Sequence, residues 1–117
     1  MQHLESQIQQ AIVQWAHYNK GKYPELELLF SIPNGGKRSP RTAVIMKLEG
    51  VKSGIPDLCL PVARHGCHAL YLEVKAPKGY LSANQKRMFP LLQAQKNEVI
   101  IIRTVQEGID YLTGWLS

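Results

Sequence analysis

Two carboxylates and a lysine near the middle of the sequence are spaced for chemistry. Asp57 comes just before an apolar run in which every second residue is aliphatic, residues 58–62. Glu73 lies near the end of a second run of the same kind, residues 68–74, and Lys75 follows it. Alternating apolar residues are typical of a strand with one face in the core. The sequence therefore predicts two strands that carry acidic and basic side chains at one end.

Burial selects the register of these two strands. The break between them is short and contains a glycine, which favours the turn of an antiparallel hairpin. Pairing Leu60 with Leu70 places both apolar sets on one face and sets Asp57 opposite Glu73. A slip of one residue would move the two apolar sets to opposite faces. The register that buries the aliphatic side chains therefore brings the carboxylates together, with Lys75 on the same face.

The predicted pair of carboxylates requires a cation, because adjacent negative charges repel each other. Oxygen ligands of this kind suit Mg²⁺ or Mn²⁺, and a neighbouring lysine can hold or deprotonate an attacking water. This combination predicts hydrolysis of a phosphodiester bond. Each part also has an ordinary interpretation, since Glu-x-Lys is commonly a surface ion pair and Pro-Asp a turn. Their combination in one buried register favours the catalytic interpretation.

The basic residues are concentrated around the predicted site. The whole chain has a net charge of +5, but residues 37–87 hold ten of the fourteen Lys and Arg. That segment contains only three acids, two of which are Asp57 and Glu73, so it alone has a net charge of +7. An anionic polymer is the expected partner. A merely solvated basic surface would have the same composition and is the alternative.

A glycine-rich loop and several basic residues are predicted to contact nucleic acid. After Pro33, two glycines allow close backbone approach, and their N–H groups with the following Lys and Arg resemble a phosphate cradle. Asn-Gly is also a turn signal, so a plain turn is an alternative that the local sequence leaves open. The predicted contact residues are Asn34, Gly35, Gly36, Lys37, Arg38, Arg41, Lys52, Lys78 and Lys86.

The remaining elements are predicted from helical spacing, capping residues and β-branched runs. Helices are expected over residues 6–19, 41–48 and 83–95 and after Thr104, and strands over residues 26–32, 58–62, 68–74 and 98–103. The last strand is continuously apolar, which predicts burial on both faces. The order α-β-α-β-β-α-β-α predicts a compact α/β domain over residues 1–117, with a mixed β-sheet of about four strands flanked by helices.

The composition predicts a cytoplasmic protein with no membrane partner. Apolar residues make up 44% of the chain, as in ordinary soluble domains. No run approaches the length of a membrane span, and the first residues lack the basic-then-apolar layout of a signal peptide.

Five ordered blocks of the sequence resemble the PD-(D/E)xK nuclease superfamily and, within it, the VRR-NUC branch. The blocks are Pro33-Asn-Gly-Gly, Glu49-Gly-Val-Lys-Ser-Gly, Gly-Ile-Pro-Asp57, Leu-Glu-Val-Lys75 and Ser-Ala-Asn-Gln85. The first two are similar to the VRR-NUC branch in particular, and the last three to the superfamily as a whole. The resemblance covers nearly the whole chain and implies a restriction-endonuclease-like core.

The resemblance implies a role for each matching residue. Lys75 would position and polarise the attacking water, and Gln85 would orient Lys75 or the scissile phosphate. Glu5 would complete the site from the first helix, although its position alone fits a helix-start glutamate favoured by the macrodipole. The implied ligands of Mg²⁺ or Mn²⁺ are Asp57, Glu73, the backbone carbonyl of Val74 and Glu5.

The resemblance also implies a substrate. Stand-alone members of this branch, common in phages and bacteria, are similar to structure-selective endonucleases that act as homodimers on branched DNA such as four-way (Holliday) junctions. We therefore expect a metal-dependent DNA endonuclease that is a homodimer in a bacterial cell and is of bacterial or phage origin. Two alternatives stay open: a non-catalytic DNA-binding module, which would not need the intact motif, and a ribonuclease with the same site.

Overall fold

A mixed four-stranded sheet flanked by helices organises the chain. The structure, a computed structural model, describes residues 3–33 and 38–117. Its elements are α1 (His3–Tyr18), β1 (Phe30–Ser31), α2 (Pro40–Leu48), β2 (Leu58–Leu60), β3 (Ala69–Val74), α3 (Ala83–Ala94), β4 (Asn97–Ile102) and α4 (Val105–Leu116). The strands lie in the order β1-β2-β3-β4, in which only the β3–β4 pair is parallel. The predicted fold class and element order are confirmed.

The β2–β3 hairpin has the register that the sequence predicts. Leu58 pairs with Leu72 and Leu60 pairs with Leu70, in antiparallel orientation. The chain reverses at His65 and Gly66, whose φ angles of 54° and 77° are those of a type I′ turn. Burial of alternate leucines and a tight turn therefore fix the hairpin together.

The predicted strand over residues 26–32 is wrong for most of its length. A 3₁₀ helix occupies Pro24–Leu28, and only Phe30 and Ser31 form the strand β1. Leu26 is buried and Leu29 is half-buried against the core, whereas Leu28 is 51% exposed. This spacing of three is the repeat of a 3₁₀ helix, and Pro24 has the φ that starts one.

The predicted burial of the last strand on both faces is also wrong. β4 lies at the edge of the sheet and pairs only with β3. Val99 and Ile102 are buried, but Ile101 is 38% exposed. The apolar composition identified the strand correctly, while its edge position leaves one face partly open to solvent.

The core lies on the face of the sheet that carries the paired leucines. α1 contributes Ile8, Ile12 and Ala16, which recur every four residues along one side of the helix. From α4, Leu112 is fully buried, and Trp115 is buried while its Nε1 donates a hydrogen bond of 2.8 Å to the Val62 carbonyl. Among the described residues, no helix has the length and apolar content to span a membrane.

The opposite face of the sheet carries α3 and the loop that leads into β2. Gly54 in this loop has φ +91°, and its Cα lies so close to α3 that a Cβ there would be 2.6 Å from the Asn84 carbonyl oxygen. The Asn84 side chain also donates a hydrogen bond of 3.0 Å to the Ser53 hydroxyl. The loop before Asp57 is therefore fixed against the first turn of α3.

We predict that Gly54→Ala destabilises the protein more than Gly50→Ala. Both glycines have a positive φ near 90–100°, which costs an alanine about 1–2 kcal/mol. The new Cβ at position 54 overlaps the backbone of α3, whereas no atom of residues 3–33 and 38–117 lies within 4 Å of a Cβ at position 50. Urea unfolding should show an additional loss of at least about 1 kcal/mol for Gly54→Ala, because backbone overlap forces α3 to shift. Equal losses for the two variants would contradict this packing account.

Candidate active site

Asp57 and Glu73 are buried side by side where β2 begins and β3 ends. The hairpin register extends to place Asp57 opposite Glu73, and the two side chains are only 4% and 2% exposed. Asp57 Oδ2 accepts a hydrogen bond of 2.8 Å from the backbone N–H of Val74. The Asp57 carboxylate thus continues the hydrogen bonding of the hairpin just beyond the end of β2.

Glu73 has one carboxylate oxygen that is fully engaged and one that is not. Gln85 Nε2 donates a hydrogen bond of 2.9 Å to Glu73 Oε2, and Lys75 Nζ lies 3.5 Å from the same oxygen. Glu73 Oε1 is buried and has no hydrogen-bond partner among the described residues. A buried carboxylate oxygen without a donor is energetically costly, and either a proton shared with Asp57 or a bound cation would relieve that cost.

Burial raises the pKa of both carboxyl groups. The pKa of Glu73 rises to about 8 because of its burial and the negative charge of Asp57, against the opposing effects of Lys75 and Gln85. Burial also raises the pKa of Asp57, and the charge of Glu5 adds to the rise, while the Val74 N–H and Lys75 oppose it. The site is therefore short of positive charge when both carboxylates are ionised.

The donor set fits Mg²⁺ or Mn²⁺. Two adjacent carboxylates supply hard oxygen ligands, and the unpartnered Glu73 Oε1 is a position that a cation would satisfy. Within residues 3–33 and 38–117, no three side chains of His, Cys, Asp and Glu form a ready cage for a metal ion. Mg²⁺ commonly binds to one or two carboxylates and takes its other ligands from water and substrate phosphates. A site of two carboxylates is thus consistent with this ion.

Glu5 points into the protein although it lies in the first turn of α1. The residue is 8% exposed, and its Oε2 accepts a hydrogen bond of 3.0 Å from the backbone N–H of Ala76. Ala76 directly follows Lys75 in the chain, and the Glu5 charge acts on Asp57. The structure therefore brings Glu5 to the region of the carboxylate pair, where its side chain fixes the segment that follows β3.

Gln85 is held in place by the cap of its own helix. Ser82 is the N-cap of α3, and its hydroxyl accepts from the Gln85 N–H, while Gln85 Oε1 accepts from the Ser82 N–H at 2.8 Å. The remaining amide group, Nε2, is free to donate to Glu73. A glutamate would also complete this capping box, but it has no N–H to donate to a carboxylate. In this structure the amide of Gln85 contacts Glu73 and makes no hydrogen bond to Lys75.

Arg103 supports the site in a way that the sequence did not reveal. Its Nη1 donates hydrogen bonds of 2.7 Å to the Ala76 carbonyl and 3.0 Å to the Gly79 carbonyl. These bonds brace the turn that follows Lys75. The first residue of this turn, Ala76, also donates its backbone N–H to Glu5. Arg103 follows β4 and lies more than twenty residues from its partners, so no local pattern indicates the contact.

The predicted nucleic-acid contacts divide into two groups. Asn34, Gly35, Gly36 and Lys37 lie outside the described residues. The other predicted contacts are all exposed and lie before and in α2, before β2, after β3 and in α3: Arg38, Arg41, Lys52, Lys78 and Lys86. These five side chains are available to an anionic partner.

We predict that Glu73→Gln stabilises the metal-free protein at alkaline pH. The folded-state pKa of about 8 lies above the ordinary value of 4.5, so the folded protein binds this proton more tightly than the unfolded chain does. The resulting stability is complete below pH 4.5 and is lost as the pH rises through 8. In EDTA, the Tm of the wild type should therefore fall between pH 5 and pH 9, and Glu73→Gln should remove most of that fall.

At pH 9 the variant should melt at least about 4 °C above the wild type, which corresponds to about 1 kcal/mol in a domain of this size. Glu49→Gln changes an exposed glutamate outside the pair and is the control. A wild type and a Glu73→Gln variant with the same pH profile would contradict the raised pKa.

Comparison with known proteins identifies the family of this chain. The model of the VRR-NUC domain family matches residues 1–106. A solved structure of a VRR_NUC domain protein has a similar fold, with a TM-score of 0.79 and 24% sequence identity over 95% of this chain and 86% of that chain. No curated protein matches the sequence. The chain belongs to the VRR-NUC family, and its function is accordingly of the nuclease type and related to DNA.

Proposed function

We propose that the protein is a Mg²⁺- or Mn²⁺-dependent endonuclease that hydrolyses phosphodiester bonds in branched DNA, such as four-way (Holliday) junctions. The observation that carries the proposal is the buried Asp57–Glu73 pair, in which Glu73 Oε1 has no hydrogen-bond partner among the described residues and Lys75 lies beside the other oxygen. A nuclease-type family and a basic surface around this pair support the same activity.

The carboxylates would hold the metal ion. Asp57 and Glu73 are the proposed ligands, with the Val74 carbonyl and Glu5 as the further ligands that the family resemblance implies. When bound, Mg²⁺ or Mn²⁺ supplies a Lewis acid that polarises the phosphoryl oxygen and makes water more acidic. The charge of the ion would also oppose the burial and the repulsion from Asp57 that together raise the pKa of Glu73.

Lys75 would act on the attacking water and on the scissile phosphate. Its ammonium group is largely buried and lies 3.5 Å from Glu73 Oε2, so it is directed at the pair instead of at bulk solvent. There it can hold the water in position and compensate the negative charge that develops on the phosphoryl oxygens. The water oxygen loses a proton to solvent and bonds to phosphorus as the bond to the 3′ oxygen breaks, and the 3′ oxygen takes up a proton from solvent. The products are a 5′-phosphate and a 3′-hydroxyl.

The surrounding side chains would keep this arrangement rigid. Gln85 fixes the orientation of the Glu73 carboxylate from the N-terminus of α3. Glu5 and Arg103 hold the turn after Lys75 from α1 and from the end of β4. Rate acceleration by positioned groups is sensitive to displacements of about 1 Å, so these contacts belong to the proposed machinery.

The family resemblance implies the branched substrate, and the single site of the chain supports a homodimer. One site of this kind cuts one strand, so symmetric cleavage of a four-way junction needs two copies of the chain. The exposed basic residues around the site supply the electrostatic attraction to the DNA backbone. We propose a homodimer in which each copy cuts one strand.

We predict that Lys75→Met lowers the rate of DNA cleavage at least about 100-fold, the ordinary contribution of one positioned catalytic group. The measurement uses end-labelled four-way junction, duplex and single-stranded DNA, with an RNA duplex in parallel, in Mg²⁺, Mn²⁺ or EDTA. Lys22→Met alters an exposed lysine of the connection after α1 and is the control. The wild type and the control should cut the junction in either metal and not in EDTA, and the product ends should be 5′-phosphate and 3′-hydroxyl.

Three results would contradict the proposal. Tight DNA binding without cutting in either metal would make the protein a DNA-binding module. Cutting of RNA alone would make it a ribonuclease, and undiminished cutting by Lys75→Met would remove Lys75 from the reaction.

A further inference from the structure

A groove of about 730 Å³ lies between α2 and α3, beside the candidate site. Its lining includes apolar side chains from both helices and from the loop between α2 and β2. Met46 and Met88 are half-buried there, and Leu91 is 55% exposed. Such a surface offers adaptable contacts to a flat apolar group.

One end of the groove adjoins the proposed catalytic residues. Asn84 lines this end and binds Ser53 of the loop that leads to Asp57. The next residue in α3 is Gln85, whose amide contacts Glu73. A strand whose phosphate lies at Glu73 therefore has its neighbouring nucleotide within reach of the groove.

Cations line the same groove. Lys47 and Lys52 extend from the α2 side, and Arg87 extends from α3; all three are exposed. Within residues 3–33 and 38–117, none of them forms an ion pair with a carboxylate. The groove thus combines apolar contacts with positive charge, and none of the described residues that line it is acidic.

This combination matches an unpaired nucleotide. A base-paired duplex presents its sugar-phosphate backbone and its base edges to a protein, whereas its base faces are stacked inside the helix. A nucleotide without a partner presents an apolar base face together with its phosphate. Apolar side chains such as methionine and leucine are known to contact exposed base faces where a duplex is interrupted.

We infer that the α2–α3 groove binds an unpaired nucleotide of the DNA strand next to the scissile phosphate. The base lies against Met46, Met88 and Leu91, and the phosphates lie against Lys47, Lys52 and Arg87. The inference rests on the proposed function and specifies its substrate: branched DNA in which a nucleotide at the branch point is unpaired, as in a flap, or loses its partner on binding, as in a four-way junction. Fully paired duplex of the same length lacks the group that the groove recognises.

The test measures binding in EDTA, so that cleavage does not contribute. The probes are a duplex, a flap and a four-way junction of equal length, the last two with a single unpaired 2-aminopurine nucleotide beside the branch. The wild type should bind the probes with the unpaired nucleotide at least about fivefold more tightly than the duplex, because contact with the apolar lining removes the apolar face of the base from water. The 2-aminopurine fluorescence should change on binding.

Substitutions in the groove should remove this preference selectively. Met46→Gln combined with Leu91→Gln keeps the side-chain size but makes the apolar lining polar. This double variant should lose the preference for probes with an unpaired nucleotide and bind the duplex with unchanged affinity. Leu48→Gln is the matched control, since Leu48 lies on the same helix, is 83% exposed and does not line the groove. Circular dichroism and Tm establish that each variant is folded.

The outcomes separate this inference from the proposed function. A groove variant that keeps the full preference and the fluorescence change, while the wild type cuts DNA, overturns the inference alone. The groove would then belong to another partner, such as an acidic peptide. A wild type that neither binds nor cuts any of the DNA probes overturns the proposed function.

Discussion

Burial of the aliphatic side chains on one face of the β2–β3 hairpin is the constraint on which the site depends. Leu58, Leu60, Leu70 and Leu72 are almost fully buried, and only one register places all four on the core face. The same register forces two carboxylates together on the other face, where burial raises the pKa of both. The hydrophobic core thereby sustains a local arrangement that is unfavourable without a cation, because moving Asp57 away from Glu73 would expose the leucines.

The neighbouring elements fix the arrangement through a few specific hydrogen bonds. Gln85 from α3 contacts Glu73, Glu5 from α1 contacts the backbone after Lys75, and Arg103 after β4 braces the same turn. These side chains come from three separate helices and strands, so the site exists only when the whole sheet is assembled. Its rigidity suits a reaction in which positioning and electrostatic stabilisation supply most of the acceleration.

The sequence predicted the parts of the structure that follow from local periodicity. Strand alternation and a short glycine-containing turn determine the hairpin register, so the sequence alone predicts that Asp57 and Glu73 lie together. Leu26 and Leu28 fit the two-residue repeat of a strand, whereas Leu26 and Leu29 fit the three-residue repeat of a 3₁₀ helix. Only packing against the core decides between these repeats, so the prediction of a strand over residues 26–32 is wrong. The exposure of Ile101 depends on the position of β4 at the edge of the sheet, and the sequence of one strand does not encode its position. The contact of Arg103 with the turn after β3 joins residues distant in sequence and is invisible to pattern analysis.

We propose that Asp57 and Glu73 together hold a divalent cation, and Mn²⁺ binding measured by electron paramagnetic resonance is the decisive experiment. The titration uses the wild type, Asp57→Asn and Glu73→Gln, each alone and with a junction whose linkages resist cleavage. The account predicts Mn²⁺ that binds to the wild type, is displaced by Mg²⁺ and is lost in both variants. Equal Mn²⁺ binding by all three proteins, or none by the wild type even with DNA, would contradict it.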